Sequence, residues 1–454
     1  MARLTCYGGA GATTGANFLL EFGGKKILVD CGMLQGAGEA KTENAKKFSY
    51  DPKEIDFLFI THAHIDHVGL IPKLYKEGFR GEIYSTAETK SIAELLLMDS
   101  AKINGNSAEP LYEPADALDT LGLWKTLSYH EPRDFGDLPA GEAGFKLELY
   151  NAGHVLGSAM LKLTGPSGRS MLFSGDIGNS PSPILPDVEK VSGLDYLLME
   201  SVYGDRNHES KSERDLKFEK AVSDGIKRGG TILIPAFSLE RTQIILYELD
   251  NLFESGRLPA VPVFLDSPLA IRITEIYEKV KNLYNAVSEK DKREGDDIFK
   301  FPKLKETATV RDSREIAKVP GAKIIIAGSG MSSGGRILAH EEMFLPDPNS
   351  TIILAGYQAA GTLGRQIEEG VKEVVIDGSR VAVKAKVEII HGFSAHADSD
   401  ALVRFVEASA GTLKKVFVAM GEPKSAIFLA QRLRDELEVD AVVAEKGKVY
   451  ELDL

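Results

Sequence analysis

The chain has 454 residues, 43% of them hydrophobic and 27% charged, and a formal net charge of −13. That length exceeds a single core and calls for two or three domains of ordinary soluble composition, while the absence of any run of about 18 apolar residues excludes a membrane-spanning helix. The N-terminus, Met1-Ala2-Arg3-Leu4-Thr5-Cys6, lacks the apolar core of a secretory signal, and two cysteines, Cys6 and Cys31, build no disulfide framework, so a cytoplasmic location is expected.

In chain order, a glycine-rich loop from Gly8 to Gly15 feeds a strand from Phe18 to Glu21. It is not followed by a helix or by Gly-Lys-Ser/Thr, which argues against a nucleotide-binding loop. A second strand, Lys25 to Val29, ends in the carboxylate of Asp30; on residue type alone this could be a simple cap. The apolar run Ile55 to Ile60 reads as a buried strand and leads into Thr61-His62-Ala63-His64-Ile65-Asp66-His67. Three of the chain's nine histidines fall within six positions there, together with an aspartate. Imidazole nitrogen and carboxylate oxygen are ordinary zinc ligands, and a turn after a strand lets them converge. His62 and His64 face one way while Asp66 and His67 enter the next helix, an arrangement that suits two adjacent metals better than one.

A helix from Ile71 to Glu77, a strand from Gly81 to Tyr84 and a long helix from Glu88 to Lys102 follow, the last with apolar residues at Ile92, Leu95, Leu96 and Met98. The polar stretch from Asn104 to Glu131 reads as partly helical, and its His130 as a bland histidine. Two strands, Phe145 to Tyr150 and Ser170 to Phe173, deliver His154 between Gly153 and Gly157, and Asp176 after Gly175. Strand Tyr196 to Met199 delivers Glu200. From about Arg206 the pattern becomes alternating helix and strand: helix Ser212 to Arg228, strand Thr231 to Ile234, helix Thr242 to Phe253, then strands Val261 to Leu265, Lys323 to Ala327 and Ser350 to Leu354. Such alternation implies a parallel sheet with loops at its carboxyl ends. Amides of the loop Gly328 to Gly335, with Arg241, Arg336 and Arg365, could hold successive phosphates; equally, these are tight turns whose arginines make structural ion pairs. Between Arg206 and Val383 there are 26 Lys and Arg against 27 Asp and Glu, so the acidic excess lies in the flanks and a local basic cleft is permitted. The charged run Glu289 to Asp297 reads as a solvated loop. Strand Lys386 to Ile390 precedes His391 and His396, a helix runs from Asp400 to Ala408, and strand Lys415 to Ala419 leads to Met420-Gly421-Glu422-Pro423-Lys424 and a last helix from Ser425 to Leu437.

Taken together, His62-x-His64-x-Asp66-His67, His154, Asp176, Glu200, His396 and the Gly328-Ser329-Gly330-Met331 and Gly356-Tyr357-Gln358 loops resemble the metallo-β-lactamase fold in its β-CASP nuclease branch. That branch includes the ribonuclease J enzymes and the nuclease subunit of the cleavage and polyadenylation complex. The resemblance implies an α/β fold: a metallo-β-lactamase αββα sandwich with an inserted β-CASP parallel-sheet domain. Its expected boundaries are 1–205 for the first part, 206–383 for the insertion and 384–454 for the return segment. It further implies that His62, His64 and His154 hold one zinc, that Asp66 and His67 help hold a second, and that Asp176 bridges them, with Asp30 fixing a metal-binding histidine. Asp66, Glu200 and His396 become the catalytic set, His396 as proton donor oriented by Glu200. Substrate-binding positions carried over are Ser238, Arg241, Ser329, Gly330, Ser332, Arg336 and Arg365, in a cleft between the domains.

One position departs from the pattern. The family usually carries histidine where this chain has Met420, and a thioether is a poor zinc ligand. A weaker second zinc is therefore expected, with His391 as a conceivable substitute ligand. The expected activity is zinc-dependent, endonucleolytic hydrolysis of single-stranded RNA in processing or decay, with no membrane partner and with homodimerisation open. Two alternatives remain: a metallo-hydrolase of a small ester or thioester, and a non-catalytic RNA-binding protein weakened by Met420.

Overall fold

The structure is a computed structural model that describes residues 1–36, 40–105, 110–136, 144–280, 283–285, 298–359 and 361–454. The charged run 289–297 lies outside the described residues. The chain divides into two compact units, Met1–Asn207 with His396–Leu454, and His208–Ala395.

In the first unit two seven-stranded sheets lie face to face. The first runs, in spatial order, Val449–Leu452, Ala2–Gly8, Asn17–Phe22, Lys25–Val29, Phe57–Phe59, Glu82–Ser85 and Trp124–Thr126. The second runs Ala441–Val443, Lys415–Val418, Tyr196–Met199, Ser170–Phe173, Ala159–Thr164, Lys146–Asn151 and Arg133–Asp134. Successive side chains of a strand point to opposite faces, and the packing follows that period. Phe173, Leu198 and Phe417 join Leu4, Phe18, Leu20 and Phe59 between the sheets. Their neighbours Leu172, Leu197, Met199, Val416 and Val418 face the other way, onto Leu402, Leu429 and Leu433 of the helices Ser399–Glu407 and Pro423–Leu437. Each buried side chain of this size contributes about 1.5–3 kcal/mol.

Both sheets pass from antiparallel to parallel pairing. The parallel strands are Lys25–Val29, Phe57–Phe59, Glu82–Ser85 and Trp124–Thr126 in one sheet, and Ser170–Phe173, Tyr196–Met199, Lys415–Val418 and Ala441–Val443 in the other. Ligands of α/β sheets collect beyond the carboxyl ends of parallel strands. Asp30, Thr61, Asp176, Glu200 and Met420 all lie just past such ends.

The second unit holds a six-stranded sheet in the order Leu304–Glu306, Val263–Leu265, Lys323–Ala327, Thr231–Pro235, Thr351–Leu354, Lys386–Ile389, with every pairing parallel. Its central strands are buried along their whole length, as a sheet covered on both faces requires; Leu233, Ile325, Ile352 and Leu354 meet Ile337 and Ile367 on one face. The helices Pro268–Lys279 and Ile337–Phe344, unmarked in the sequence reading, follow two of its strands. A hairpin, Glu373–Ile376 with Ser379–Ala382, turns on Asp377 and Gly378, both in the left-handed region that such two-residue turns need.

One boundary moves. Lys386–Ile389 was expected to return to the first unit, yet it pairs with Thr351–Leu354 in the second. A four-residue strand that alternates charged and apolar residues carries no mark of which sheet it joins, and the return falls at His396. No helix among the described residues is long and apolar enough to cross a membrane.

Candidate metal centre

The site begins with Asp30, held at φ 58° at the end of its strand. Its Oδ1 accepts the Thr61 amide at 2.8 Å, and its Oδ2 accepts both the Thr61 hydroxyl and His67 Nδ1 at 2.8 Å. Thr61 Oγ1 in turn lies 3.1 Å from His62 Nδ1. With its hydroxyl proton given to Asp30, Thr61 accepts from His62. One carboxylate thus fixes two imidazoles, His67 directly and His62 through Thr61, and leaves Nε2 of each bare. That is the form in which imidazole binds a metal. Thr61 was missed by the sequence reading, although it stands immediately before His62.

The turn can fold this tightly only because Gly32 lies beneath it. A β-carbon at Gly32 would sit 1.5 Å from the Asp66 carbonyl oxygen. Gly175 plays the same part opposite, at φ 54° and against the Thr61 side chain.

Two sets of donor atoms result, both built from residues the sequence reading named. His62 Nε2 and His154 Nε2 lie 3.0 and 3.2 Å from His64 Nδ1, and both lie 3.5 Å from Asp176 Oδ2. These four groups could hold one metal ion. Asp176 Oδ1 lies 3.4 Å from His67 Nε2, which is 3.9 Å from Asp66 Oδ2. Asp176 Oδ1 and His67 Nε2 are buried, and neither has a hydrogen-bond partner. A bare nitrogen facing a carboxylate oxygen needs a positive charge between them, either a proton or a cation. The donor set therefore fits a cation, and the titration behaviour agrees. Burial opposes charge on His67, but Asp176 and Asp30 outweigh it and hold its pKa well above the usual range. Burial likewise opposes ionisation of Asp176, and His67 and His62 outweigh it, keeping that carboxyl well below its usual range. Burial, with His67 adding, keeps His62 neutral. Burial also pushes Asp66 up to about 6, against the pull of His67.

Glu200 and His396 form a second pair. His396 Nδ1 is 3.2 Å from both Glu200 oxygens and 3.9 Å from Asp176 Oδ2. The Ile177 amide donates to Glu200 Oε1 at 2.6 Å, and the backbone of His396 bridges that of Gly178. Burial lowers the His396 pKa, but Glu200 outweighs it and lifts the value to about 9.

Met420 is buried at φ 43°, its amide donating to the Gly9 carbonyl at 2.6 Å. Its thioether crowds Gly9 beside Phe18, as part of the core between the sheets. His391 lies in the second unit, half-exposed and 3.7 Å from Glu368.

The residues expected to cradle phosphate lie in the second unit. Arg336 gives Nη1 to Asp266 at 2.6 Å and to the Thr307 carbonyl at 2.7 Å, and Nη2 to the Ala308 carbonyl at 2.9 Å. Arg365 pairs with Glu369 at 2.7 Å, and the Arg241 guanidinium is buried against Gly356. Arg336 and Arg365 thus have carboxylate partners within their own unit, and Arg336 has carbonyl partners as well. Ser332 is buried and donates to Glu341; Ser329 accepts the Ser333 amide at 2.8 Å; Gly330 packs on Phe237; Ser238 lies 3.5 Å from Ser267.

Comparison with known proteins adds the following. Residues 10–224 match the metallo-beta-lactamase superfamily, 242–367 the Beta-Casp domain, and 380–444 the Zn-dependent metallo-hydrolase RNA specificity domain. The chain is 36% identical to Ribonuclease TTHA0252 of Thermus thermophilus, over 95% of this chain and 96% of that protein. It is 32% identical to an RNase J-like protein of Methanocaldococcus jannaschii, over 93% of each chain. It is 30% identical to the Transcription termination factor FttA of Methanosarcina mazei, over 96% of this chain and 70% of that one. A crystal structure of a protein of unknown function from Enterococcus faecalis has the same fold, with TM-score 0.55 at 13% identity over 99% of this chain and 100% of that one.

Proposed function

The chain belongs to the Beta-Casp branch of the metallo-beta-lactamase superfamily, and on that premise we propose that it is a zinc-dependent ribonuclease cutting phosphodiester bonds within single-stranded RNA. The observation that carries this reading is the division of Asp176: Oδ2 faces His62 and His154, while Oδ1 faces His67. Two cations sharing one carboxylate suit phosphodiester chemistry. When bound, they acidify water and offset charge on the phosphate. His62, His64 and His154 would hold the first. Asp66 and His67 would hold the second, weaker because Met420 offers no ligand.

The chain's own groups supply the remainder. Asp30 keeps His67 in its ligand tautomer. Glu200 occupies Nδ1 of His396 and stabilises the imidazolium, so Nε2 carries a proton for the leaving oxygen. Buried free thiols at Cys6 and Cys31 fit a reducing compartment such as the cytoplasm.

The test is incubation of labelled RNA with the zinc-loaded protein beside its His396→Ala variant. Internal cuts by the parent and a loss of about 10²–10⁴-fold in the variant are expected for removal of a general acid. Equal cleavage by both would defeat the assignment. The burial of Met420 away from solvent also favours a second reading, a non-catalytic RNA-binding protein; activity that appears only in Met420→His would select it.

A further inference from the structure

A cation beside His396 has no part in the account so far. Arg206 ends the segment that follows Glu200, and its backbone is laced to the segment that begins at His396. Ser399 donates its amide to the Arg206 carbonyl at 3.1 Å and its hydroxyl to the Gly204 carbonyl at 2.7 Å. Asn207 and Asp400 exchange two hydrogen bonds, at 2.8 and 3.2 Å, and Tyr203 bridges Asp398. The position of Arg206 relative to His396 is therefore set by backbone.

The side chain is anchored as well. Its Nε lies 3.2 Å from Asp205, and its guanidinium carbon lies 5.4 Å from the centre of the Tyr203 ring. His396 also neighbours that ring, at 6.4 Å between centroids. Yet the side chain is 50% exposed, and among the described residues neither terminal nitrogen makes a hydrogen bond within the protein. Asp205 seats a second cation: Lys424 Nζ lies 3.2 Å from its other oxygen and is 85% exposed. Asp205 thus carries two cations, on a chain whose net charge is −13.

An exposed ion pair adds little to stability, so stabilising the fold is a weak account of this arrangement. A guanidinium already fixed at Nε and against a ring loses little freedom on binding, and its two outward nitrogens match the spacing of phosphate oxygens. We infer that Arg206, assisted by Lys424, holds a backbone phosphate of the RNA strand beside the bond that His396 faces. This rests on the ribonuclease reading above. Contacts of this kind place a strand without reading its bases.

The experiment measures binding of a fluorescent single-stranded RNA to the full-length, zinc-loaded His396→Ala protein, with and without Arg206→Ala, between 50 and 200 mM salt. Removing one phosphate contact lowers the slope of log affinity against log salt by roughly 0.7. Binding weakens by about five- to tenfold at the lowest salt, equally for unrelated sequences. Melting temperature stays within about 1 °C of the parent, as for a surface change. An unchanged slope would overturn the inference, the more so if melting fell by several degrees, since that marks a packing role. RNA binding by the parent with no effect of Arg206→Ala defeats this inference alone. No RNA binding by the parent defeats it together with the reading it rests on.

Discussion

Asp176 in the first unit and Asp266 in the second occupy equivalent places: each is buried, each follows a parallel strand, and each has histidine beside it. Their surroundings differ in kind. Asp266 accepts from Thr307 and Arg336 on one oxygen, at 2.8 and 2.6 Å, and from Ser313 and His340 on the other, at 2.5 and 2.7 Å. Every lone pair that matters is met by a proton. Asp176 instead faces bare ring nitrogens at 3.4–3.5 Å, and one of its oxygens has no hydrogen bond at all. A satisfied carboxylate holds a fold together; a carboxylate left short of positive charge waits for a ligand.

Substitutions at the two aspartates sharpen this contrast. Asp176→Ala should lower cleavage by on the order of 10³-fold or more, about 4 kcal/mol of barrier, with zinc retention reduced and melting of the apo protein unchanged or raised. A fall in apo stability would place Asp176 with Asp266. Asp266→Ala should do the reverse. Removing one partner of a buried network costs about 3–5 kcal/mol, so denaturant unfolding of the second unit shifts while zinc content holds. Its acid sensitivity has a definite sign: hydrogen bonds outweigh burial and bring Asp266 down to about 2, below its unfolded value. The stability it gives is present above about pH 4 and lost as pH falls toward 2.

Smaller effects test the supports. Asp30→Asn should weaken zinc binding by about 10- to 100-fold, the usual cost of losing the partner of a ligand histidine, measured by competition with a chelator. Glu200→Gln should move the basic limb of the pH–rate profile. In the proposed proton-donor role His396 acts in its protonated form, so activity should be lost as pH rises through its pKa, lifted to about 9 by Glu200. Without that carboxylate the limb should fall toward the ordinary histidine value of about 6.5. An unmoved limb would remove His396 from the proton-donor role.

Much of the first unit can be read from sequence because its ligands are local. His62, His64, Asp66 and His67 share one turn, and His154 and Asp176 each stand by a glycine at a strand end. What resists such reading is everything settled by distant partners. Nothing near Arg336 announces that Asp266, 70 residues away, takes its charge, so a phosphate cradle and a structural pair look alike. The strand Lys386–Ile389 shows the same limit, since its short alternating pattern fits either unit. Arg206 was read as the start of the inserted segment; only the stitching of Arg206 to Ser399, and of Asn207 to Asp400, reveals that it belongs beside His396.

The central claim is that Asp176 serves two cations, one on each oxygen. Calorimetric titration of metal-free protein with zinc tests it most directly. The account predicts two bound equivalents, the second at least about tenfold weaker, lost in His67→Ala and strengthened in Met420→His. A single equivalent, indifferent to both substitutions, would contradict it.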